Sequence, residues 1–170
     1  MSRKRFLAIV DPWANPQPHD AEKFSMLASD SEIQYQLIYN QLPRLKPLFD
    51  DIIVDDSGYT CHPIFDELPR VNNVLEGYLS DKQDWDMWLC GFHYGRCIHG
   101  KIIKVVKQYD WDYSRFHIIQ NLSFWLPGDT KDIIYDPESE DIIIGGVGTK
   151  DAVLNTKEYY WDYVGSLSEL

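Results

Sequence analysis

Three short apolar runs, each ended abruptly by an acid or a glycine, constrain this chain more than any other feature. Residues 5–10, Arg-Phe-Leu-Ala-Ile-Val, stop at Asp11-Pro12. Residues 52–54, Ile-Ile-Val, lie between Asp50-Asp51 and Asp55-Asp56, and residues 85–91, Trp-Asp-Met-Trp-Leu-Cys-Gly, end on a glycine. A strand wetted on one side alternates apolar and polar side chains, whereas a strand covered on both faces is apolar almost throughout. These runs therefore predict interior strands of a mainly parallel sheet.

Between them the period changes from strand to helix. Ser29 and Glu32 form a capping box, after which Ile33, Leu37, Ile38 and Leu42 recur at helical spacing, with an interruption expected near Pro43 or Pro47. Leu68, Val71, Val74, Leu75 and Tyr78 predict a helix over 66–79. Ile98, Ile102, Val105, Val106 and Tyr109 predict another behind a turn at 91–95. A fourth strand is expected at 115–120 and a turn at 126–129. Strands at 132–136 and 141–145 are expected to pair as a hairpin, with a short closing helix over 159–167. The stretch 13–29, with Pro16 and Pro18, predicts a long irregular loop. Strands alternating with helices make an α/β chain, expected as one domain over residues 1–170 and as a three-layer α/β/α sandwich. Ligands of such sheets bind beyond the carboxyl ends of the strands, an edge that here carries Asp11, the Asp55-Asp56 turn and residues 91–97.

Charge and composition narrow the function classes. Lys and Arg number 16 against 27 Asp and Glu, a formal net charge of -11, which repels phosphate backbones and anionic lipid. Nucleic acid is not an expected partner, and because the acids are scattered, a soluble surface explains them better than mimicry of nucleic acid. The longest apolar runs are too short to span a bilayer, so no membrane partner is expected. Three cysteines with no paired spacing, behind the opening Met-Ser-Arg-Lys-Arg, predict a cytoplasmic protein with reduced thiols.

The segment 89–98, Leu-Cys-Gly-Phe-His-Tyr-Gly-Arg-Cys-Ile, carries the most chemistry. It places Cys97 where a helix should begin just after a strand. The positive end of the helix dipole and neighbouring Arg96 favour the thiolate, the form that attacks carbon. A small buried core residue is the plainer explanation of the same cysteine. Asp11, at the end of the first strand, is placed to serve as base or orienter, although alone it would pass for a loop cap.

Together these segments resemble the isochorismatase-like cysteine hydrolase family, which includes nicotinamidases. An Asp closes the first strand in Leu7-Ala8-Ile9-Val10-Asp11, and Cys97 lies six residues beyond Gly91 at the end of a later strand. The order of strands and helices from Arg5 to about Gly128 is similar as well. The resemblance implies a Rossmann-like domain in which Cys97 is the nucleophile, Asp11 the base, and backbone N–H groups at the helix start hold the oxyanion. It also implies a catalytic lysine, yet residues 59–68, Tyr-Thr-Cys-His-Pro-Ile-Phe-Asp-Glu-Leu, contain none. His62 is a partial substitute by position, and Lys101, one turn beyond Cys97, is more simply a solvated helix residue.

The remaining candidates are weaker. Nicotinamidases hold a divalent ion near the second strand, where this chain has Asp55, Asp56 and His62. Turn capping explains those aspartates better, so no metal and no cofactor are expected. His93, His99 and His117 lack a ligand spacing, and Gly145-Gly146-Val147-Gly148 lacks the Lys-Ser or Lys-Thr of a phosphate loop. The aromatic run 159–163 suits packing on its own domain or on a second copy in a homo-oligomer.

Two functions are expected from these residues. One is hydrolysis of a small-molecule amide or vinyl ether, with Trp13, Phe92 and Tyr94 walling an apolar slot over Cys97. The other is a catalytically silent protein of the same fold that binds or assembles with a protein partner, for which the missing lysine speaks.

Overall fold

The computed structural model describes residues 3–14, 32–92 and 97–124, and the backbone of two further strands at 143–146 and 163–166. One sheet collects the seven strands among the described residues. β1 (Arg5–Val10) leads to α1 (Glu32–Leu45), a 3₁₀ turn (Lys46–Leu48) and β2 (Asp51–Asp55). A second 3₁₀ turn (Pro63–Phe65) precedes the two-residue β3 (Arg70–Val71). The chain then forms β4 (Asp86–Phe92), α2 (Cys97–Tyr109), a 3₁₀ turn (Tyr113–Arg115), β5 (Phe116–Phe124), β6 (Ile143–Gly146) and β7 (Tyr163–Ser166).

The strand order is β3-β2-β1-β4-β5-β6-β7. Pairing is parallel from β3 through β5 and antiparallel from β5 to β6 and β6 to β7. This is the mainly parallel α/β sheet predicted from the apolar runs. β1 and β4, the central strands, are buried along almost their whole length, as two-sided coverage requires.

Alternation along the strands divides the core. Leu7, Ile9, Ile52, Val54, Trp88, Cys90 and Phe92 join Tyr35, Ile38, Leu42 and Leu45 of α1 in one buried cluster. Phe6, Ala8, Val10, Ile53, Met87 and Leu89 join Ile98, Ile102 and Val105 of α2 in another. The chain moves outward from β1 toward β3 and, after crossing back, outward from β4 toward β7. The direction reverses between β1 and β4, and the carboxyl ends of strands at such a reversal are where ligands of these sheets bind.

Two expectations need correction. Residues 66–79 are not a helix: Pro69 lacks an N–H and disfavours helical geometry at Leu68, and Arg70 and Val71 add to the sheet beside Val54 and Asp55. The periodic residues divide instead, Leu68 into the cluster of α1 and Val74 into that of α2, against which Val71, Leu75 and Tyr78 pack. α1 runs through Pro43 and gives way to a 3₁₀ turn at Lys46–Leu48, the second of the two places where an interruption is expected. The lost hydrogen bond falls at Tyr39, which is 39% exposed and open to water. Within the expected closing helix, residues 163–166 are a strand paired with β6, and β6 pairs with β5 and β7. The expected strand at 132–136 and the turns at 126–129 and 137–140 lie outside the described residues, as do most of loop 13–29, Ser29 of the capping box, and Gly148.

Candidate active site

At the carboxyl ends of β1 and β4 two backbones come close. Gly91 pairs with Val10 and adopts φ +107°, and a Cβ built there would lie 2.5 Å from the Val10 carbonyl oxygen and 2.9 Å from its nitrogen. Only glycine accommodates both the conformation and the contact. Alongside, β5 takes a longer path than β4 between the pairs Leu89–Ile118 and Gly91–Ser123, a bulge held partly by Ser123 Oγ donating to the Ile119 carbonyl at 2.7 Å. Bulges of this kind end regular pairing where a sheet must open.

Asp11 follows β1 directly, at φ +50°, a left-handed conformation that a non-glycine residue holds only when its surroundings enforce it. Its N–H donates to the Asp55 carbonyl at 2.8 Å, and its carbonyl accepts from Trp13 N at 2.8 Å. It is 4% exposed and its side chain accepts from Ser57 Oγ at 2.7 Å, and the Cys97 thiol lies close enough to favour its charged form. Burial pushes the Asp11 carboxyl up from 3.8 to about 6, against the pull of these two donors and of Lys101. A carboxylate so placed titrates close to neutral pH, as a general base should.

Cys97 is the first residue of α2, as the sequence predicts, and is half-buried, whereas Cys61 and Cys90 are buried. Burial raises the Cys61 thiol to about 11 and raises that of Cys90 as well. The thiol beside the carboxylate is thus also the accessible one.

Lys101 corrects an expectation. It is 6% exposed, and its ammonium lies 3.0 Å from Asp55 Oδ2 and donates to Asn73 Oδ1 at 3.2 Å. Asp55, fully buried at the end of β2, also accepts from Val74 N at 3.1 Å and from Ser57 N at 3.2 Å. Removing either partner of such a pair leaves an uncompensated buried charge, a loss of about 3–5 kcal/mol. Lys101 sits one helical turn from Cys97, and its charge acts on Asp11.

The neighbouring acid and histidine are structural. Asp56 accepts from Arg70 Nε at 3.1 Å and Nη2 at 2.8 Å and caps the turn through Gly58 N at 2.9 Å. His62 Nδ1 accepts from Ile64 N at 3.2 Å, capping the 3₁₀ turn, and its ring lies 4.5 Å from that of Tyr35. Among the described residues no group of three His, Cys, Asp or Glu is arranged to hold a metal ion. His99 is 1% exposed and burial lowers it to about 4, leaving it uncharged at neutral pH. His117 stacks on Trp88 with ring centres 4.3 Å apart.

The three aromatic residues expected to wall a slot are placed differently. Trp13 is 7% exposed, donates from Nε1 to the Asp56 carbonyl at 2.8 Å and packs edge-on to Tyr59. Phe92 is 2% exposed, between Tyr35 and Phe124 in the cluster of α1. Tyr94 lies outside the described residues, with His93 and Arg96.

The structure therefore brings Asp11 and Cys97 together and adds Ser57, Asp55, Asn73 and Lys101, which sequence reasoning left out of the site. The spacing of Lys101 from Cys97 was a usable signal. Ser57 had none, because its approach to Asp11 depends on how β1 and β2 align. No protein family, curated protein or solved structure matches this chain. No helix among the described residues is long and apolar enough to cross a membrane.

Proposed function

We propose that the protein is a cysteine hydrolase acting on the amide, or a similarly activated carbon, of a small molecule, on an isochorismatase-like three-layer α/β/α fold. The observation that carries this reading is the juxtaposition of the half-buried Cys97 thiol, at the first residue of α2, with the buried Asp11 carboxylate whose charged form it favours, at the point where the strand order reverses. A thiol, a base titrating near neutrality and a helix N-terminus converge there.

In the reaction, Cys97 Sγ forms a bond to the carbonyl carbon as its proton passes to Asp11. The carbonyl oxygen takes up the negative charge and is held by N–H groups at the start of α2. Collapse breaks the C–N bond, and Asp11 returns the proton to the departing amine, leaving a thioester. Water then adds to the thioester carbon, giving its proton to Asp11. The C–S bond breaks, the thiol recovers that proton, and the acid leaves. The net change is amide plus water to acid plus amine. The resemblance also implies a lysine, which residues 59–68 do not supply.

The test is the pH dependence of iodoacetamide labelling in the native protein, with the labelled cysteine identified by mass spectrometry. Cys97 should label with an apparent pKa well below the roughly 8.5 of a free thiol, and Asp11→Asn should change that profile. Amide hydrolysis, nicotinamide first, should then depend on both residues. Labelling of Cys97 no faster than that of Cys61 or Cys90 would sink the hydrolase and favour a silent binding module.

A further inference from the structure

Lys101 invites explanation beyond the dyad. A lysine with its ammonium inside a fold is costly, and an apolar side chain would hold α2 to the sheet as well. The ammonium is nonetheless fixed by two partners from separate elements, Asp55 of β2 and Asn73 beyond β3. The stem rises from α2 one turn beyond Cys97, on the face that carries Ile98, Ile102 and Val105 against the sheet. Ser57, Cys97, Lys101 and Asp55 all bear on Asp11, and of the two charges among them Lys101 acts the more strongly.

We propose that Lys101 is a positioning residue of the Cys97–Asp11 site: held by Asp55 and Asn73, its fixed positive charge stabilises the carboxylate and the thiolate and so sets the pH range over which Cys97 is reactive. This rests on the dyad described under the proposed function. Lys101 touches neither reacting atom in the mechanism and moves no proton. Asp55 and Asn73 hold the ammonium in place, so that its field on Asp11 does not depend on a flexible surface side chain.

The experiment compares iodoacetamide labelling rates of Cys97 against pH, together with urea unfolding, in the wild type, Lys101→Arg, Lys101→Met and the double variant Lys101→Met/Asp55→Asn. Lys101→Met should move the labelling midpoint upward by about one pH unit and slow labelling near pH 7 about tenfold. Lys101→Arg should keep the charge and stay within about threefold of the wild type. The double variant removes both buried charges, so it should recover folding stability lost in Lys101→Met and still label slowly. That separation is the distinguishing readout, and it survives even where Lys101→Met alone fails to fold. Recovery of wild-type labelling in the double variant, or an unshifted midpoint in a folded Lys101→Met, would overturn the proposal and leave Lys101 a purely structural ion pair. If wild-type Cys97 shows no lowered midpoint and no response to Asp11→Asn, the dyad itself falls and the role of Lys101 falls with it.

Discussion

The two faces of the sheet meet the same carboxyl edge and treat it in opposite ways. On the face of α1 the edge is tiled with rings: Tyr35 lies 4.9 Å from Phe92, and Phe92 5.2 Å from Phe124, with their polar neighbours consumed in caps and backbone hydrogen bonds. On the face of α2, Asp11, Asp55, Ser57, Asn73, Cys97 and Lys101 form a polar network with a half-buried thiol at its rim. The lesson is that burial serves different ends a few ångströms apart. The aromatic face lowers the energy of the fold, whereas the polar face holds a carboxylate away from water and two residues, Asp11 and Ser57, in left-handed conformations. Stored strain and an elevated carboxyl pKa together make the second face the candidate functional one.

That contrast can be broken at its hinge or sharpened on either side. The largest effect is expected of Gly91→Ala, which drives a Cβ into the Val10 backbone in a conformation alanine resists. It should cost upward of about 4 kcal/mol, read as a collapsed urea midpoint or insoluble protein, because neither central strand can yield. Next, Phe92→Ala should remove about 3–4 kcal/mol by opening a cavity in the aromatic tiling. The labelling midpoint of Cys97 should stay where it is, and a shifted midpoint would mean that the two faces are coupled.

A smaller effect of opposite sign is expected from Asp11→Asn. The folded-state pKa of Asp11 lies above its ordinary value, so the folded protein binds the extra proton and stability attributable to this residue falls as pH rises from about 4 to 6. Asparagine tolerates the left-handed conformation and carries no charge. Asp11→Asn should therefore raise stability near pH 7 by about 3 kcal/mol at most while altering Cys97 labelling, and the gain should vanish near pH 4. Comparing variant and wild type at each pH cancels the loss from His99, whose lowered pKa removes stability as pH falls from about 6.5. A variant less stable than the wild type near pH 7 would assign Asp11 to structure.

Much of this was legible in the chain. Unbroken apolar runs announced β1, β2 and β4, since strands covered on both faces have no solvent side to mark. Ile98, Ile102 and Val105 announced α2 with Cys97 at its start, and Asp11 at the end of β1 came from the same reading. The misassigned segments fail for a common reason. Leu68 is buried in one cluster while Val71, Val74, Leu75 and Tyr78 pack with the other, so their helical spacing reflects two environments rather than one face. Four residues of β7 are too few for periodicity to decide between a strand and a turn of helix.

The sequence by itself determined that β1, β2 and β4 are strands of a parallel sheet, where the helix of Cys97 begins and that an acid closes the first strand, because those properties follow from local pattern and short spacing. Only the tertiary structure decided which groups meet. The alignment of Val10 with Asp55 and with Gly91 carries the ends of β1, β2 and β4 to one place. There Ser57 reaches Asp11 across 46 positions of chain, and Lys101 turns inward to Asp55 rather than out to water. Such partnerships depend on the register between strands distant in sequence, and no local pattern encodes a register of that kind.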